Sequence, residues 1–175
     1  RQWFLWQLDP RSAAYHVPRA LRLKGQLDCD ALQRAFDTLV ARHESLRTHL
    51  QQDAGRTVQV ISPPARIEIA LADVDEASLK AQVEASITQP FDLRQGPLMR
   101  VRLLRLAQDE HVLALVQHHI ISDGWSMQVM VDELVQLYAA YSRVEGLQLP
   151  ALPIQDVAYA LWQRSWMEAG EKARQ

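Results

Sequence analysis

Residues 117–130 read QHHIISDGWSMQVM, and the hydrophobic pattern of the chain changes over inside them. Upstream, HVLALVQ (111–117) has the apolar content and length of a strand. Downstream, Met127, Met130, Val131, Leu134, Tyr138 and Tyr141 recur at helical spacing. The join is therefore predicted to be a strand-to-helix turn, with His118, His119, Asp123 and Gly124 gathered at it. Neighbouring side chains of a strand point to opposite faces. One histidine should face a site while the other packs behind it, so the pair is not suited to sharing one metal ion or one proton. Turns of this kind expose side chains and free backbone N–H groups. Plain packing roles fit the same residues: Asp123 can cap the following helix, and Gly124 can supply a positive φ. Residue chemistry alone reaches a histidine general base at a turn, and stops there.

Working outward, LMRVRLLRL (98–106) is expected to pair with residues 111–117 across Gln108-Asp109-Glu110. ALRLKGQ (20–26) alternates as a half-buried strand. Asp28 then offers an N-cap to a helix whose inner face is Leu32, Ala35, Phe36, Leu39 and Val40. Residues 46–61 suggest a hairpin about Asp53-Ala54-Gly55, with Val58 and Val60 on one face. ARIEIAL (65–71) is a further strand candidate, and Asp75 opens a helix to about Thr88 that Pro90 stops. After a loop marked by Gly146, Pro150 and Pro153, a last helix is expected from about Ile154 to Glu168. Interspersed strands and helices with hairpins predict an α/β sandwich on a mixed sheet, not a doubly wound parallel one. No GxGxxG follows a strand, so dinucleotide binding has no support.

The bulk properties exclude several classes. The chain has 175 residues, 48% hydrophobic and 23% charged, which suits one core and one domain. A net charge of -2 gives no reason to expect nucleic acid or an anionic membrane. Cys29 is the only cysteine, which rules out an internal disulfide and a cysteine-based zinc site. HExxH is absent too, so no metal is expected. No apolar run approaches the roughly 18 to 20 residues that span a bilayer. Arg1 rather than Met begins the sequence, which suits a portion of a longer chain, and a soluble cytoplasmic location is the default. Nucleophilic catalysis has weak support, because GxSxG is absent and Cys29 has no assigned base.

HHIISDGWS matches the HHxxxDG motif of nonribosomal peptide synthetase condensation domains. Three other stretches carry the same resemblance in the family's order. RHESLRT (42–48) looks like the RHExLRT segment, RQWFLWQL (1–8) like the tail of the first motif, and Tyr159-Ala160-Leu161-Trp162 like the end of YxDYAxW. The sequence departs from the family at Gln2, where Leu or Met is usual, and at Asp156 and Ala158, where Tyr and Asp are usual. All four stretches belong to the first of the family's two lobes. The resemblance thus implies that residues 1–175 form one chloramphenicol-acetyltransferase-like lobe, the N-terminal half of a condensation domain, with the C-terminal lobe absent. It implies amide-bond formation between a carrier-bound aminoacyl or peptidyl thioester and a carrier-bound aminoacyl acceptor. No cofactor is then bound by the lobe itself, the substrates arriving on the phosphopantetheine arms of upstream and downstream carrier proteins.

By the same resemblance, His119 is the site-facing catalytic histidine and His118 its structural neighbour. Asp123 shapes the site through an arginine, for which Arg42 and Arg47 are the candidates, and Gly124 keeps the substrate channel open. Trp125, Tyr159 and Trp162 are support residues. An isolated lobe is expected to be inactive. Other readings stay in view. A stand-alone HxxxD acyltransferase would share the histidine but not RHESLRT or YALW, and Gly124-Trp125 disfavours an epimerization domain. A module that docks carrier proteins without turnover is the alternative from outside the enzymes.

Overall fold

The computed structural model describes residues 15–121 and 127–143. Six strands and three helices follow one another in this part of the chain. β1 (His16–Lys24) leads to α1 (Cys29–Arg42), and a short 3-10 turn (Glu44–Arg47) leads to β2 (Thr48–Asp53) and β3 (Arg56–Ile61). β4 (Ile69–Asp73), α2 (Glu76–Thr88), β5 (Met99–Ala107) and β6 (Glu110–His118) come next. A second 3-10 turn (His119–Ile121) and α3 (Met127–Tyr141) complete the set. The main sheet has the order β1-β6-β5-β4; β6 is antiparallel to both its neighbours, and β4 runs parallel to β5. The sheet is therefore mixed, as the interleaved pattern predicts.

Local chemistry accounts for the helix ends. Asp28 caps α1 by accepting from the Ala31 N–H at 3.1 Å. Asp75 and Ser78 form a reciprocal capping box at the start of α2. The last carbonyls of α2 lie beyond the reach of the intrahelical ladder, and the C-cap and other elements satisfy them. Ala85 O accepts from the Gln89 N–H, Ser86 O from Arg100 and Ile87 O from His16. The Arg100 cation there also complements the negative end of the helix dipole.

β6 lies at the centre and is buried on both faces from His111 to His118. On one face α1 and α3 pack side by side over Leu21, Leu23 and Leu113, with Leu32 and Leu134 descending onto them. On the other, α2 covers Arg100, Arg102 and His16. Phe36 and Leu39, fully buried, anchor the inner face of α1. The β2–β3 hairpin stands apart as its own two-stranded sheet. It turns on Ala54 (φ 50°) and Gly55 (φ 80°), two successive positive values that match the right-handed twist of the flanking strands.

Several boundaries differ from the sequence reading, and the strand expected at 20–26 runs instead from His16 to Lys24. The strand expected at 65–71 begins only at Ile69, because parallel pairing with β5 starts at Ile69 opposite Val101. Leu46 belongs to the 3-10 turn rather than to the hairpin, and Val58 is exposed. The helix expected at 154–168 lies outside the described residues.

Candidate functional site

The two histidines leave β6 in different ways. His118 is the last strand residue, and its N–H donates to Leu98 O at 2.9 Å. His119 opens the 3-10 turn instead of continuing the strand, and its N–H donates to Tyr15 O at 2.6 Å. The backbone of one histidine is thus held from the β5 side and that of the other from the β1 side. His118 is 1% exposed, whereas His119 is partly exposed. Strand alternation predicts opposite surroundings for the two rings; in the structure the two residues differ in burial, and the backbone changes from strand to 3-10 turn between them.

Buried partners surround His118. Its Nδ1 accepts the Ile120 N–H at 3.1 Å, which places the proton of the neutral ring on Nε2. His16 faces it across the β1–β6 register, with ring centroids 5.9 Å apart, and Phe91 meets both rings edge-on. Burial drives the His118 pKa down to about 3, with His16 and then His119 adding to the effect. His118 is therefore a neutral structural imidazole at physiological pH. Burial also lowers the His16 pKa; the hydrogen bond to Ile87 O opposes that fall and Arg100 deepens it. The Arg100 guanidinium stacks on Phe91 at 4.3 Å, and burial followed by Arg102 brings its pKa down to about 10, so it stays charged.

The opposite face of the sheet contributes a second buried polar group. Gln117 is fully buried, its Nε2 reaching the Met127 and Met130 sulfurs at 3.8 and 3.3 Å, while its Oε1 has no hydrogen-bond partner among the described residues. The first turn of α3 is in this way seated against the strand that carries the histidines.

Among the sequence candidates, Arg42 bonds Glu133 of α3 at 3.0 Å, and the neighbouring His43 ring lies 3.1 Å from both oxygens of that carboxylate. Arg47 donates to three carbonyls, Val40 O at 2.8 Å, Ser62 O at 2.8 Å and Ala41 O at 3.3 Å. RHESLRT therefore knits the end of α1 to α3 and to the exit of the hairpin. Asp123, Gly124, Trp125, Tyr159 and Trp162 lie outside the described residues. Among the described residues no group of three or more His, Cys, Asp or Glu side chains forms a metal-binding cluster, and no helix is long and apolar enough to cross a membrane. A cavity of about 390 Å³, lined by His49, Ser62, Arg66 and Glu68 among others, sits beside the hairpin and includes neither His118 nor His119.

His16, Ile87, Phe91 and Glu133 are the members of this arrangement that pattern reading misses. Each meets its partner through tertiary packing between distant segments, and no spacing in the sequence announces that. The available signal is a histidine, His16, at the head of a strand that alternates apolar and basic residues toward its end.

The sequence model of the family described as condensation domain matches residues 1–175. The chain is 45% identical over 170 residues to chondramide synthase cmdD of Chondromyces crocatus, covering 93% of this chain and 4% of that protein. It is 44% identical over 177 residues to malpibaldin synthetase of Mortierella alpina, covering 97% and 3% respectively. Among solved structures, the first condensation domain of the CDA synthetase superposes with a TM-score of 0.70 at 28% identity, over 79% of this chain and 38% of that one. The X-domain from teicoplanin biosynthesis, solved in complex with OxyB, superposes with a TM-score of 0.73 at 31% identity, over 97% and 37%. The chain thus spans a few per cent of these curated relatives and under half of these solved chains.

Proposed function

Because the chain belongs to the condensation-domain family, we propose that it is the N-terminal, histidine-bearing lobe of such a domain in a nonribosomal peptide synthetase. The reaction joins two carrier-bound substrates. The acceptor amine attacks the donor thioester carbonyl, a C–N bond forms, the C–S bond breaks, and the amine proton passes to the departing pantetheine thiolate. The donor arrives already activated, so the protein needs neither nucleophile nor metal. It holds the two groups together and manages one proton. Positioning is worth roughly 7 to 11 kcal/mol, whereas a general base contributes about 10² to 10⁴-fold. Orientation therefore carries the larger share, and His119 assists the proton transfer.

One observation supports this reading above the others: at the end of β6 a buried neutral imidazole, His118, is followed at once by a partly exposed histidine, His119. In the proposed site Asp123 fixes the turn through Arg42 or Arg47, Gly124 leaves the substrate channel open, and Trp125, Tyr159 and Trp162 support the walls. The partners are an upstream and a downstream carrier protein and the C-terminal lobe of the same domain, in the cytoplasm. The reading is tested by incubating the intact domain with defined donor- and acceptor-loaded carriers and following the carrier-bound amide by mass spectrometry. Transfer of the donor onto the acceptor carrier supports it, and an unchanged donor carrier refutes it.

The likeness to an X-domain solved with OxyB favours a second reading, a docking module without turnover. Carrier binding with no amide formed is the outcome that selects it.

A further inference from the structure

We propose that His16 is a positioning residue for the amide-forming reaction: its tie to Ile87 O fixes the start of β1, so that the Tyr15 carbonyl holds the His119 amide and sets where that ring projects. The proposal rests on the role given to His119 above. Its geometry is a chain of short contacts. The His16 Nδ1 lies 2.6 Å from Ile87 O, and since a carbonyl only accepts, Nδ1 carries the proton. The adjoining residue, Tyr15, presents the carbonyl that receives the His119 N–H at 2.6 Å. His16 is also the register partner of His118, so one residue of β1 meets the buried imidazole while the carbonyl just before it meets the backbone of the partly exposed His119.

A packing role alone does not account for His16. The residue is 1% exposed, and a buried polar ring is costly unless its hydrogen bonds are met. An apolar side chain would fill the space without that cost, but it would leave Ile87 O, an end carbonyl of α2, without this donor. The groups facing His16 come from every element packed on it: Ile87 O of α2 and Phe91 just beyond it, Arg100 of β5 and His118 of β6. Arg100 is the cation among them and discourages a second proton on the ring. His16 thus keeps one tautomer and one donor direction, which a positioning group requires.

The test compares His16→Phe, which keeps ring volume and removes the donor, with His16→Asn, whose amide N–H replaces the Nδ1–H. Both are placed in the intact condensation domain with loaded carriers, and hydrogen exchange at the His119 amide is followed alongside turnover. His16→Phe is expected to lower kcat about tenfold with the KM for both carriers unchanged, the size expected for one lost hydrogen bond expressed in the transition state. Exchange at the His119 amide is expected to accelerate by a similar factor, and His16→Asn to restore both. The proposal is overturned if His16→Phe leaves the His119 amide as protected as in wild type, if faster exchange spreads evenly along β1 and β6, or if His16→Asn is as impaired as His16→Phe. The exchange measurement stands whether or not wild type forms an amide, so failure of the functional reading is seen separately.

Discussion

His16 and His118 face each other across the β1–β6 ladder with their rings 5.9 Å apart and inclined at 64°, both buried and both held neutral. The unfolded chain exposes the same imidazoles to water, where they titrate near 6.5. Below that value the unfolded state takes up protons that the folded state refuses, so stability falls as pH falls. For His118 the loss begins near pH 6.5 and is complete only below about 3. Buried His111, whose pKa burial also lowers, acts in the same direction. Urea denaturation midpoints are therefore expected to decline between about pH 7 and about pH 5, above the range where carboxylates titrate. His118→Gln should flatten that slope. A midpoint equally high at both ends of the range would contradict the neutral pair.

Arg47 joins three chain segments through its fork, with Nε and both terminal nitrogens on separate carbonyls. A lysine offers one point of charge where the site uses a planar fork. Arg47→Lys is predicted to cost about 1.5 to 3 kcal/mol, the range for a lost hydrogen bond to a charged group. The measurement is the urea midpoint at constant slope. An unchanged midpoint would mean that the three carbonyls are satisfied without the fork.

Arg42 is more exposed, at 58%, and shares Glu133 with His43. Surface pairs of this kind contribute little, so Glu133→Gln should shift stability by no more than about 1 kcal/mol. Thermal denaturation checks this, and a larger loss would show that Glu133 anchors α1 to α3.

Much of the fold is legible locally. Asp28 and Asp75 announce helix starts because a carboxylate before an apolar-periodic run has free N–H groups to accept. β5 and β6 are readable from their apolar content and from the polar turn between them. The late start of β4 is not readable, since Ile67 and Ile69 alternate equally well and pairing to β5 alone decides which belongs to the strand. The surroundings of the site are less legible than its histidines. HHIISDG marks a turn in the sequence, yet His16, Phe91 and Ile87 close around His118 from segments that only the sheet register and the packing of α2 bring together. Arg42 and Arg47, read as partners of Asp123, have Glu133 and backbone carbonyls as their partners among the described residues.

A tie between Asp123 and one of these arginines remains part of the proposed site, and a double-mutant cycle tests it. Asp123→Asn combined in turn with Arg42→Gln and Arg47→Gln should give a coupling of about 1 kcal/mol or more with one arginine, as expected for residues in contact. Additive effects with both would favour the helix-cap role, in which asparagine serves nearly as well as aspartate.

The 175-residue chain by itself is predicted to form no amide at a useful rate with loaded carriers. Holding two reactants is the larger part of the catalysis, and the proposed site holds them between two lobes. Mass spectrometry of the carriers after incubation detects any transfer. Multiple turnovers by the chain alone would show that one lobe orients both substrates.

The central claim is that His119 serves amide formation, and the most direct measurement is the single-turnover rate of the intact domain with donor and acceptor carriers both loaded. His119→Ala is predicted to slow that step by about 10² to 10⁴-fold, while His118→Gln, corrected for its folded fraction, stays much nearer the wild-type rate. A His119→Ala domain that forms the amide as fast as wild type would contradict the claim.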